Sequence, residues 1–138
     1  MTLISLNGLG VSRKMSFKIT YSINFLRVSA SLSDGEILKI KAFTEAAKGN
    51  YITNLPGRKK PSTLVSEAYA ARDKLIQFAV DNDLWHYHIG HIEYNKRNRF
   101  GDWTSSHILH YQKNTENVRL IHYAAHPPFI MPLKEYII

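Results

Sequence analysis

The chain has 138 residues, 44% of them hydrophobic and 21% charged, with a formal net charge of +7 and no cysteine. That length suits a single domain of ordinary globular composition, and the lack of cysteine excludes disulfides, thiolate zinc sites and thiol nucleophiles together. The basic excess, with a sequence pI of about 9.7, favours an acidic partner: nucleic acid, an anionic membrane or an acidic protein.

Met1 to Val11 is mildly apolar, but its cations, Arg13 and Lys14, follow the apolar run. A secretory signal has the reverse order, so a cytoplasmic protein is expected. No run approaches the roughly 20 apolar residues that span a bilayer, so no membrane is expected as a partner. Residues 1–14 read as an extension outside one domain at 15–138.

From Phe17 the residues Ile19, Tyr21, Ile23 and Phe25 alternate with polar ones, which predicts a strand with one buried face. Ser33-Asp34-Gly35-Glu36 has capping-box spacing and predicts a helix stopping at Gly49. Residues 50–62, with Pro56, Gly57 and Pro61 around Arg58-Lys59-Lys60, read as a cationic loop. Leu64, Ala68, Ala71, Leu75, Phe78 and Ala79 build one apolar face and predict a second helix over Thr63–Val80. Strands follow from Leu84, over Ile108–Gln112 and over Val118–Tyr123, the last two joined as a hairpin across Lys113–Asn117. His126-Pro127-Pro128 interrupts the pattern before a short apolar tail, Phe129–Ile138. The order predicts an α+β domain, an N-terminal strand and two helices packed on one face of a small antiparallel β-sheet.

All seven histidines fall between His86 and His126. Imidazole exchanges protons near neutrality and also binds metals. His86 and His88 stand two apart in a predicted strand, so both leave the same face, opposite Trp85, Tyr87 and Ile89. The pair suits proton transfer on a polyanion. It equally suits a metal site completed by His91, His110, His122 or His126, or plain hydrogen bonding on a sheet surface. Carboxylates nearby are scarce, only Glu93 and Asp102, and the positive surface opposes cation capture.

The segment 91–103 interleaves Lys96, Arg97 and Arg99 with Tyr94, Phe100 and Trp103. Cations bind phosphates and exposed rings stack on unpaired bases; the alternative is a solvated loop with its rings folded onto the core. Arg58-Lys59-Lys60 adds a second basic cluster whose value depends on lying near this segment. Phosphate-cradling glycine motifs, nucleophile elbows and dinucleotide fingerprints are absent from the sequence.

The run Leu84-Trp85-His86-Tyr87-His88-Ile89, then Thr104-Ser105-Ser106-His107-Ile108-Leu109-His110-Tyr111, then Leu120-Ile121 to Ala125-His126, resembles the YafO-type toxins of bacterial toxin–antitoxin pairs, within the RelE-like group. Leu55-Pro56-Gly57-Arg58 is similar to that family's Gly-Arg loop, and the match spans roughly residues 50–126. The resemblance implies a RelE-like fold and ribosome-dependent messenger RNA cleavage without metal or other cofactor, neutralised by a cognate antitoxin. The nucleophile would be the 2′-hydroxyl beside the scissile phosphate. Such chemistry needs a base, an acid and cations. His86 and His88 are the candidates for acid–base work, with His110 or His126 completing the pair. Arg58, Lys59, Lys60, Lys96, Arg97 and Arg99 would hold phosphates, and Tyr94 would stack or orient. A non-catalytic RNA- or ribosome-binding module and a small histidine-ligated metal enzyme are the alternatives.

Overall fold

Strand β1 covers only Lys18–Tyr21, and Tyr21, expected on its buried face, is exposed. Ser22 then caps helix α1 (Ile23–Ser29), accepting the Phe25 N–H at 3.0 Å and donating to the Ile121 carbonyl at 3.0 Å. The expected strand to Phe25 is therefore cut short. A serine hydroxyl satisfies an otherwise orphaned helix donor, and Asn24 and Phe25 are buried at helical rather than alternating spacing. The protein, described by a computed structural model over residues 16–90, 93–126 and 129–138, then follows its sequence pattern closely in the next helix. The N-terminal extension at 1–14, His91 and the Pro127-Pro128 interruption lie outside the described residues.

Helix α2 (Asp34–Lys48) opens with the predicted capping box, Ser33 and Glu36 each bonding the other's backbone N–H. It ends at the predicted place. Gly49 stays right-handed, however, and Asn50 takes the left-handed conformation with φ of 59°. The expected loop 50–62 contains a short edge strand, β2 (Lys59–Pro61), where Pro61 is tolerated because no further strand needs its N–H.

Helix α3 (Arg72–Asp81) begins nine residues later than expected from Thr63. Before it, the Ser66 hydroxyl accepts the Ala68 N–H at 3.2 Å, offering the backbone a turn in place of a helix. Arg72 folds back to the Val65 carbonyl at 3.0 Å. Strands β3 (Leu84–His88), β4 (His107–Lys113) and β5 (Asn117–Ala125) match the predicted runs within two residues at their ends. In the β4–β5 hairpin the Asn114 carboxamide oxygen accepts the N–H groups of Glu116 and Asn117.

The five strands form one sheet in the order β1-β5-β4-β3-β2, and the domain is α+β. The sheet is mixed rather than wholly antiparallel, because β1 runs parallel to β5. One face carries Tyr87, Ile89, Leu109, Tyr111, Val118 and Leu120, packed against Phe25 of α1 and Ile40, Phe43 and Ala47 of α2. Helix α3 lies on the other face, where Ala79 meets Leu84 together with Val65 and Met131. The two long helices thus sandwich the sheet instead of sharing one side. Each layer hides apolar side chains that the other side could not reach.

Candidate functional site

Strand alternation sends Leu84, His86 and His88 to the α3 face. The register then places Lys60 beside His86, His86 beside His110 and His110 beside His122. A cation and three imidazoles therefore cross four strands in one row. The His110 and His122 rings stack at 6.1 Å, and His86 lies 6.3 Å from both His110 and His88. The C-terminal segment lies over this row. Phe129 rests 4.9 Å from His86, 5.7 Å from His110 and 6.2 Å from His126, and Tyr136 rests 4.5 Å from His122.

Where the row meets the upper ends of β3 and β5, a pocket of about 270 Å³ opens. Arg58, Lys60, His86, His88 and His126 line it with Thr104 and Ser105. Residues far apart in the sequence thus converge: the cationic loop, the His-x-His strand and the histidine after β5. The His88 and His126 rings meet edge to face at 5.1 Å.

The two imidazoles of β3 are held by their surroundings. His86 Nδ1 lies 3.0 Å from the buried Ser62 hydroxyl. The Ser105 backbone N–H donates to His88 Nδ1 at 3.1 Å. A backbone N–H can only donate, so neutral His88 carries its proton on Nε2. The Ser105 carbonyl lies 3.3 Å from the same Nδ1, ready to accept should that nitrogen become protonated. The Ser105 hydroxyl accepts the Gly90 N–H and donates to the His107 carbonyl, which fixes this peptide against both strands.

Burial is the main reason these histidines are neutral. It pulls His86 to about 3, helped by His88, His126, Lys60 and Arg58, and pulls His88 to about 4, helped by His126. His126 and His122 are lowered by the same cause, and His110 lies well below its usual range. Lys60 and Arg58, the latter paired with Asp102 behind the wall, line the pocket and no carboxylate does, so its chemistry suits an anion. A bound anion would favour imidazolium and draw these values back up.

Several candidates fall elsewhere. His110 is fully shielded, with 0% exposure, and does not line the pocket, so a substrate cannot touch it. Lys59 points to the other face by strand alternation; its ammonium donates to the Leu55 carbonyl at 2.9 Å and lies 5.7 Å from the Tyr87 ring centroid. Tyr94 is no stacking platform. Its hydroxyl meets Tyr87 at 2.8 Å and the His88 carbonyl at 3.0 Å, while its ring fills the space where a Cβ on Gly90 would stand. Lys96, Arg97 and Arg99 are exposed on the 93–103 loop, outside the pocket wall. Arg58 anchors that loop through Asp102, at 2.6 Å from Nε and 3.4 Å from Nη2.

Among the described residues, no three His, Asp or Glu side chains group closely enough to hold a metal ion. Sequence reasoning assigned no role to Ser62, Ser105 or Phe129. Ser105 stands two residues before β4, where short hydroxyl residues often bond neighbouring backbone, and that was the available signal. No helix among the described residues is long and apolar enough to cross a membrane. Comparison with protein-family models, curated proteins and solved structures finds no match.

Proposed function

We propose that this chain is a toxin of the RelE-like kind, a metal-independent endoribonuclease acting in the cytoplasm on messenger RNA at the ribosome and restrained by a cognate antitoxin. The supporting observation is the pocket that gathers Arg58 and Lys60 with His86, His88 and His126. Cations there would neutralise the developing charge on a phosphate, and the imidazoles would move protons.

In the reaction the 2′-oxygen attacks phosphorus and the bond to the 5′-oxygen breaks, leaving a 2′,3′-cyclic phosphate and a 5′-hydroxyl. His126, the most open of the pocket imidazoles, takes the 2′-hydroxyl proton. His88 gives a proton from Nε2 to the leaving oxygen. The substrate's own charge favours protonated His88, whose Nδ1–H then turns to the Ser105 carbonyl. Lys96, Arg97 and Arg99 beside Phe100, which is 60% exposed, form the outer surface that meets ribosomal or messenger RNA.

A second reading, binding to RNA without cleavage, is favoured by one observation: burial holds His86 and His88 neutral, so neither is charged to act as an acid. Purified protein, translating ribosomes and a chelator separate the two. Cleavage with cyclic-phosphate ends, reduced roughly 100-fold or more in Lys60→Gln and His126→Ala, is expected. Intact RNA with salt-sensitive binding would establish the second reading. Undiminished cutting by both folded variants would move catalysis away from this pocket.

A further inference from the structure

At the opposite end of the same sheet face, a second pocket of about 230 Å³ opens between the loop before β3, the end of β4 and the start of β5. Register places Thr20 beside Arg119, Arg119 beside Gln112 and Gln112 beside Leu84, so these side chains rise on the histidine face. At about 3.3 Å per strand residue, the four-residue step from His88 to Leu84 puts the two pockets roughly 13 Å apart along β3. The covered imidazole row lies between them.

Two features mark this pocket as a ligand site. Arg119 Nε is shielded from solvent and has no hydrogen-bond partner among the described residues. A buried guanidinium donor left unmet is costly, and an oxyanion is its natural complement. Asp83 lines the same pocket, yet the two form no ion pair among the described residues. Arg119 and Asp83 thus face one space without closing on each other, and Lys113, whose ammonium lies 5.1 Å from the Phe17 ring centroid, adds a second cation to the wall. Asp83 is exposed, so a ligand that offers an acceptor to Arg119 and a donor to Asp83 would engage both.

We propose that this pocket binds a protonated phosphate, free or as a monoester, with its P–O⁻ on Arg119 and its P–OH donating to Asp83. At pH 6 inorganic phosphate still carries such a proton, and so does about half of a monoester, whose second dissociation falls near 6. Sulfate has the same shape and none to give. The site therefore discriminates by protonation: Asp83 repels a fully ionised oxyanion and accepts from a hydrogen-bearing one. Thr20 and Asn117 supply further polar groups on the wall.

The test is titration of the full chain at pH 6 and constant ionic strength with inorganic phosphate, a 5′-mononucleotide and sulfate, followed by calorimetry and melting temperature. Phosphate binding in excess of sulfate is expected, weakened roughly tenfold or more in Arg119→Gln. Tighter binding of the mononucleotide than of inorganic phosphate would identify the monoester as the form taken, and the reverse would identify the free ion. Asp83→Asn should erase the preference, because an amide can donate to sulfate. Asn also tolerates the left-handed backbone that Asp83 holds at φ of 51°, so this variant keeps the fold if Arg119→Gln does not. Equal binding of phosphate and sulfate by the wild type, or a preference that survives Asp83→Asn, would overturn the proposal.

Discussion

His110 sits at the centre of the imidazole row with both ring nitrogens buried and neither one hydrogen-bonded among the described residues. Whichever nitrogen carries the proton, a donor and an acceptor stay desolvated, and that is destabilising. His110→Leu keeps similar volume and removes both. It is expected to stabilise by about 1–2 kcal/mol, raising the melting temperature by roughly 3–6 °C. A lower melting temperature would mean that the row is held by interactions of His110 itself. The histidine cluster was legible in the sequence, and so was the shared face of His86 and His88. The division of labour among the histidines was not, since it depends on the cover of Phe129 and Tyr136, set by a segment that carries no periodic pattern of its own.

Among the elements, β2 shows why position decides function in the Arg58-Lys59-Lys60 run. Alternation sends Lys60 to the pocket and Lys59 to the Tyr87 side, so three adjacent cations do three different things. Gly57 allows this strand to approach β3: a Cβ there would collide with the His88 carbonyl and lie 2.7 Å from the Tyr87 ring. Gly57→Ala is expected to push Arg58 and Lys60 from the pocket and to cost about 1–3 kcal/mol of stability, measurable by denaturant unfolding. An unchanged midpoint would show that the strand shifts freely. The capping box made α2 readable, because its signal is local. The early end of β1 was hidden, because Ser22 acts as a cap only where the Ile121 carbonyl also receives its hydroxyl, 99 residues away.

At the scale of the whole molecule, five imidazoles gathered on one face of the sheet carry depressed proton affinities. Each has a folded value below its unfolded value of about 6.5, so the unfolded chain binds more protons as pH falls. Their contribution to stability is complete above roughly pH 6.5 and is lost on acidification toward the values of 3 to 4 held by His86 and His88. The melting temperature should therefore drop steeply between pH 7 and pH 5, and the drop should be shallower in His110→Leu. A flat profile would show that the imidazoles are open to water.

The parallel pairing of β1 with β5 has a consequence for how the protein is made. Among the described residues β1 has no other neighbour in the sheet, and β5 begins 99 residues after β1 does, at Asn117 against Lys18. Contacts so distant in the chain close late and slowly. A nascent polypeptide lacking β5 has an unpaired first strand, and His126 has not yet been added to the pocket. Synthesis itself thus sets the order of events, and the first strand waits for its partner until the last strand has been made.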